Sequence, residues 1–266
     1  MSFYNITHNI NPTLLNIGNF EIRYYGLFYI IGFIIAYFLL NYLVKVKHIK
    51  LTKDDILDYL LYLGLGMIIG SRLFYFIFYN PSIILNDPLS ILKIWQGGMS
   101  FHGGFIGAVF FGYIFSVKKK IKFYKLADIT IIPLTLALAL GRIGNFINGE
   151  LYGRMYEGIF CIDYSKSSYV NNVEGCRFPS QIFESIKNIL IFIPLFYLAT
   201  KKKLKDGIIF WLFVIFYGAL RFLIEFIRQP DEQIGYILNY FTMGQILCII
   251  MIIIGFVMLY KINKQK

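Results

Sequence analysis

The sequence predicts an all-α polytopic membrane protein: seven transmembrane helices, an N-terminal interfacial arm, and a small outward-facing head between the fourth and fifth helices. Three observations predict it. Of 266 residues, 58% are hydrophobic and 19% aromatic against 15% charged, too apolar for a water-soluble domain of this length. Apolar runs close to the ~20 residues that cross a bilayer recur along the chain. The lysines gather in alternate connections between those runs. A formal net charge of +11 would by itself admit nucleic-acid binding, but lysines confined to short loops between apolar runs exclude that class.

The runs occupy 24–44, 56–78, 98–117, 126–143, 181–200, 207–227 and 237–260. They divide the chain into an arm (1–23), helices one to four (24–143), a head (144–180), helices five to seven (181–260) and a tail (261–266). Lys45, Lys47, Lys50, Lys53, Lys118, Lys119, Lys120, Lys122, Lys125, Lys201, Lys202, Lys203, Lys205, Lys261, Lys264 and Lys266 then fall on one side. The other side holds Arg23, Lys93, Arg154, Lys166, Arg177 and Arg228. The positive-inside rule therefore puts the N-terminus outside and the C-terminus inside. No basic leader with a small-residue cleavage site precedes the first run, so that span is expected to insert and stay.

Taken in order, the arm scatters Ile10, Leu14, Leu15, Ile17 and Phe20 among polar residues, the pattern of a segment lying along the outer interface. Tyr24 and Tyr25 open the first span at the depth of the aromatic belt. In the second, the Gly66-xxx-Gly70 spacing lets a neighbouring helix approach closely. Arg72, at membrane depth, is expected to face the bundle interior. The connection from Asn80 to Gln96, broken by Pro81, Asp87 and Pro88, reads as a short re-entrant or surface segment.

The third span starts with GGMSFHGG, Gly97 to Gly104. His102 is read here as the one histidine in an apolar setting, since His8 belongs to the arm and His48 to a lysine-rich loop. A lone buried histidine is either a structural hydrogen-bonder or a chemical group. Gly103, Gly104 and their neighbours strip side chains from around the imidazole, which makes room for a bulky headgroup. The fourth span runs into GRIGNFINGELYGR, Gly141 to Arg154, where the apolar segment stops and a polar excursion begins. Cys161 and Cys176 lie in the head, on the side where disulfides persist, and their pairing stays open. Cys248 suits a small core residue. No metal-ligand spacing exists in the sequence.

Glu184 and Lys187 stand one turn apart on the fifth span and can pair with each other. The sixth ends with Arg221, Glu225 and Arg228 at i, i+4 and i+7, one helical face. That face is either a self-satisfied ladder or two guanidiniums fixed by Glu225 for a phosphate. One carboxylate cannot neutralise both arginines, which favours the second. The topology gathers all these groups in the outer half of the membrane, as a site for an anionic, amphipathic ligand. A lipid-modifying enzyme and a lipid or organic-anion transporter both remain open, although the internal repeats common in transporters are absent. An intramembrane hydrolase has less support: Ser100 and His102, two residues apart, do not face each other on a helix, and no G-x-S-x-G element occurs.

YYGL at Tyr24 to Leu27, GGMSFHGG, GRIGNFINGELYGR, PSQ at Pro179 to Gln181 and RFLIEFIRQPD at Arg221 to Asp231 resemble, in order and approximate spacing, the motif set of the bacterial prolipoprotein diacylglyceryl transferases. Phe178 and Phe183 depart from the histidine and tyrosine common in that family. The resemblance implies a multi-pass protein of the bacterial inner membrane with a periplasmic head and N-terminus. It implies transfer of a diacylglyceryl group from phosphatidylglycerol to the lipobox cysteine of a prolipoprotein. Its partners would be phosphatidylglycerol, prolipoprotein signal peptides and membrane lipids, with no cofactor, metal or nucleic acid. Residue types and family positions together make His102 the leading general base and Arg142 and Arg221 phosphate clamps. Glu150 and Glu225 would orient those cations or compete for the base role, and Asn145 and Asn148 would donate to headgroup oxygens. Tyr25, Gly103, Gly104 and Gly153 would line or shape the site, with Arg228 and Arg154 as further contacts.

Overall fold

The computed structural model describes residues 6–18, 20–78, 80–81, 87–159, 161–167, 173–229, 236–237 and 241–264. Pro230 and Asp231 of the last motif, Lys266 of the tail and part of the 80–96 connection lie outside them. Among the described residues, seven α-helices dominate: α1 (Tyr24–Val46), α2 (Lys53–Phe78), α3 (Phe101–Lys118), α4 (Phe123–Asn148), α5 (Ser180–Lys201), α6 (Ile208–Ile224) and α7 (Met243–Lys264). Six are long and apolar enough to cross a membrane, which makes this a multi-pass membrane protein. The sixth helix, α6, has 17 residues and ends three residues before the expected 227.

The chain forms two compact units, residues 48–127 and residues 1–47 with 128–266. In the first, α2 and α3 pack through glycine. A Cβ on Gly66 or Gly70 would overlap the carbonyl oxygens of Gly107 and Gly103, and one on Gly107 would overlap that of Gly66. Backbones this close exchange contacts that side chains would prevent. Gly103 faces Gly70 and Phe74, and Gly104 faces Met67 and Ser71. The expectation that these two glycines clear space for a headgroup is corrected accordingly: α2 fills the space.

Arg72 is buried as expected, 4% exposed, but an ion pair is not what satisfies it. Its guanidinium donates to the carbonyls of Ile91 (3.0 Å), Lys93 (3.1 Å), Gly98 (3.1 Å), Ser90 and Gly97 and lies over the Phe76 ring. Five planar donors suit such a ring of carbonyls. They tie the 3-10 turns Pro88–Leu92 and Ile94–Gln96 to α2 just before α3 begins.

In the larger unit, buried Asp128 near the start of α4 accepts from the backbone N–H groups of Gly207 (2.7 Å) and Phe210 (2.8 Å). It thereby caps α6 from another helix, satisfying donors that a helix start leaves orphaned. Gly207, at φ 95°, makes the turn before it. Among the described residues, the polar parts form three small sheets. β1 (Ile6–Thr7) pairs parallel with β4 (Ile162–Asp163), and β4 antiparallel with β5 (Cys176–Arg177). β2 (Thr13–Ile17) and β3 (Phe20–Arg23) make a hairpin, with Leu14, Leu15, Ile17 and Ile22 exposed. β6 (Tyr236–Ile237) pairs with β7 (Phe241–Thr242). Cys161 and Cys176 form a disulfide, Cα–Cα 5.4 Å, which closes the pairing left open by the sequence.

His8 corrects the reading of the histidines. It is 3% exposed, stacks on Tyr164 at 5.2 Å and hydrogen-bonds the Phe146 carbonyl at 2.8 Å, whereas His102 is exposed. The arm therefore docks its first strand into the head. Burial holds the Tyr164 phenol above its ordinary pKa, so it stays neutral and donates to Gln181 at 3.3 Å.

Candidate active site

Glu184 is the centre of the site. It projects from the first turns of α5 and is 3% exposed. One carboxylate oxygen takes Lys187 Nζ at 2.7 Å and faces Arg142 Nε at 3.9 Å; the other takes Arg221 Nε at 3.2 Å. Three helices, α4, α5 and α6, thus converge on one carboxylate. Lys187, equally buried, also stands 3.7 Å above the centre of the Tyr217 ring, a second stabilisation of its cationic form. Arg142 keeps 26% of its side chain exposed, so the cluster has one open edge.

Arg221 also pairs with Glu225. Glu225 accepts from the Thr242 hydroxyl at 3.0 Å, and Gly244 leaves it room, since a Cβ there would stand 2.7 Å from its oxygen. Thr242 and Gln245 cap α7 reciprocally, Gln245 N–H donating to Thr242 Oγ1 at 3.2 Å and Thr242 N–H to Gln245 Oε1 at 3.1 Å, the capping-box arrangement. The start of α7 therefore orients the glutamate that orients Arg221.

A second polar group surrounds the end of α4. The helix continues through Gly144 and Asn145 to Asn148, five residues past the expected boundary, so the excursion begins at Gly149. That residue has φ 71° and Leu151 has φ 57°, left-handed conformations that terminate a helix. Glu150, carried back by this turn, accepts from Asn145 at 2.8 Å and Asn148 at 3.1 Å. The PSQ stretch locks the turn: Gln181 Nε2 donates to the Glu150 carbonyl at 2.7 Å and Ser180 Oγ to the Leu151 carbonyl at 2.8 Å. The Tyr25 ring packs on Gly144, where a Cβ would come within 2.7 Å, and its hydroxyl meets Tyr29 at 3.1 Å and the Asn145 side chain.

The end of α4 thus carries a buried ion-pair cluster through Arg142 and an amide-held carboxylate through Asn145 and Asn148. The prolipoprotein diacylglyceryl transferase family model matches residues 12–261. The chain belongs to the prolipoprotein diacylglyceryl transferase family. A relative from Geobacter sulfurreducens, named phosphatidylglycerol--prolipoprotein diacylglyceryl transferase, is 40% identical over 258 residues, 97% of each chain. Relatives of the same name from Rickettsia canadensis and Ehrlichia ruminantium are 42% identical over 250 and 252 residues, 93% of this chain and 95% of theirs.

In this diacylglyceryl transferase family member, the structure brings Arg142, Arg221 and Glu225 together, and separately Tyr25, Asn145, Asn148 and Glu150. Arg228 departs from expectation. Helix α6 stops at Ile224, so Arg228 does not continue the face of Arg221 and Glu225; its backbone bridges Gly153 instead. Arg154 Nε donates to the Arg228 carbonyl at 2.8 Å. Gly153 donates its N–H to the Phe178 carbonyl at 2.8 Å, and a Cβ there would strike Ile227 and Phe178; it is a crossing point of three backbone segments. His102 stands in the first turn of α3, whose cap Ser100 accepts from Gly103 N–H at 3.4 Å.

Glu184 and Lys187 are what residue-by-residue reading passed over as a local pair. The available signal was their depth: charged groups inside an apolar span mark function unless shown otherwise. Gln181 and Thr242 carried no comparable signal, because neither is unusual for its place in the chain.

Proposed function

We infer that this protein transfers the diacylglyceryl group of phosphatidylglycerol to the thiol of a prolipoprotein lipobox cysteine, forming a thioether and releasing glycerol phosphate. The observation that carries this reading, beyond family membership, is the meeting of Arg142, Lys187 and Arg221 around Glu184. In the transfer, the substrate sulfur bonds to the diacylglyceryl carbon as that carbon's bond to phosphate oxygen breaks. The thiol proton goes to a base. The phosphodiester leaves as a phosphomonoester carrying one more negative charge, which is where fixed cations in a partly dry site act most strongly. Arg142 and Arg221 are the clamps.

Glu225 is committed to Arg221 and Thr242, and Glu150 to two asparagine amides. Oxygens of both carboxylates are occupied by these donors. That leaves the base role to His102, on its residue type, since an imidazole nitrogen can accept a proton. Tyr25, Asn145 and Asn148 bind headgroup oxygens, each asparagine amide having a second N–H to offer. Gly153 and Arg228 shape the surrounding backbone through their bridge. Helix α6 serves as a seventh span: its 17 residues reach about 26 Å at 1.5 Å per residue, near the ~30 Å hydrocarbon thickness. The arm and head lie on the periplasmic side of the inner membrane, where signal peptides present their cysteine, and the lysine-rich connections lie in the cytoplasm.

Purified protein incubated with acyl-labelled phosphatidylglycerol and a lipobox peptide tests this. Label on the peptide cysteine is the expected result. Soluble cleavage without peptide label, or lipid movement across vesicles without transfer, overturns it in favour of a hydrolase or a transporter.

A further inference from the structure

Among the described residues, the ion pairs of Arg142, Lys187, Arg221, Glu184 and Glu225 are all with one another. Three cations therefore face two carboxylates, and the excess is one positive charge. Four of the five groups are at most 9% exposed. Charge left uncompensated at such depth is costly, and the arrangement becomes neutral when one monoanion enters. Without Lys187 the remaining two arginines and two glutamates would cancel. Lys187 also holds the shortest contact to Glu184, 2.7 Å, on the oxygen that Arg142 approaches only to 3.9 Å. Its competition for that oxygen keeps Arg142 loosely held at the open edge.

We propose that Lys187 determines affinity and headgroup selectivity for a singly charged phospholipid: it occupies Glu184, frees Arg142, and gives the cluster the net charge of +1 that one phosphodiester neutralises. This rests on the reading of Arg142 and Arg221 as phosphate clamps. Lys187 contacts Glu184 and Tyr217 and acts on substrate through the arginines, so it is a positioning residue. A lipid of no net charge, with a headgroup ammonium balancing its phosphate, would gain less from the excess charge than phosphatidylglycerol does. Removing Lys187 should therefore narrow the preference between the two headgroups as well as weaken binding.

The test measures kcat and KM of full-length protein in mixed micelles, over a range of phosphatidylglycerol mole fraction, with a lipobox peptide as acceptor. Lys187→Gln keeps a donor for Glu184 and removes the charge; Lys187→Arg keeps the charge. The Gln variant is expected to raise KM about tenfold while kcat changes by less than about threefold, and the Arg variant to stay within about threefold of wild type in both. Phosphatidylethanolamine added as competitor should inhibit Lys187→Gln more, relative to substrate, than it inhibits wild type. A wild-type KM in Lys187→Gln overturns the proposal, as does an equal loss in Gln and Arg variants, which would mark a packing role. Should the Gln variant fail to accumulate in membranes, the competitor experiment on wild type and Lys187→Arg decides: unequal headgroup preference between these two equally charged proteins overturns it. Arg142→Gln, run alongside, separates the two readings. If that variant transfers normally the clamp itself fails; if it is inactive while Lys187→Gln keeps its KM, only the role of Lys187 fails.

Discussion

Glu184 and Arg221 meet at 3.2 Å from separate helices, and the same carboxylate holds Lys187 at 2.7 Å. Arg221 is thereby held by a glutamate already balanced by a lysine. Removing the carboxylate strands buried cations against one another. Glu184→Leu is expected to cost about 3–5 kcal/mol of stability, as breaking a buried pair does; thermal unfolding in detergent measures it, and an unchanged midpoint would show the cluster to be energetically idle.

Arg142 and Arg221 should be separable from the fold to different degrees. Arg142, at the open edge, is expected in its Gln variant to lose transfer by about 10²–10³-fold with little change in melting temperature. Arg221→Gln should lose both, because it leaves Glu225 without its cation. Measuring rate and melting midpoint on the same preparations checks the contrast, and equal stability losses would refute it.

The seam between α2 and α3 has no room for a methyl group. Gly107→Ala should destabilise the protein by about 1–3 kcal/mol, the cost of overpacking, because a Cβ there meets the Gly66 carbonyl. Gly26→Ala, where an added Cβ meets nothing within 4 Å, is the matched control and should be neutral or slightly stabilising. Melting midpoints of the pair decide.

The Cys161–Cys176 bridge, 15 residues apart in sequence, joins the β4–β5 strands that hold the arm. Its removal by Cys161→Ser with Cys176→Ser is expected to cost about 3 kcal/mol, read as a lowered midpoint that matches wild type treated with reductant. Insensitivity of the wild type to reductant would contradict it.

Much of the helical framework was legible because apolar runs of membrane length have few alternatives in lipid, and each run does hold a helix. The boundaries near the site were not. The run ending at 143 becomes a helix ending at Asn148, since polar residues extend a helix when their side chains find partners, here Glu150. The run ending at 227 becomes a helix ending at Ile224, which removes Arg228 from the face it was assigned. His8 looked like a surface residue of the arm because its partner Phe146 lies 138 positions away, beyond any local pattern.

By itself the sequence determined the class of protein, the approximate helices, and the family whose motifs recur from Tyr24 to Asp231. Those depend on composition and order along the chain. Tertiary structure alone decided that Gly103 and Gly104 belong to a helix seam, that Arg72 serves backbone carbonyls, and that Glu184 and Lys187 join Arg142 and Arg221. Spacing along one helix shows which residues share a face. Which cation reaches which carboxylate depends on how α4, α5 and α6 converge, and that is set by packing, by the Asp128 cap on α6 and by the capped start of α7.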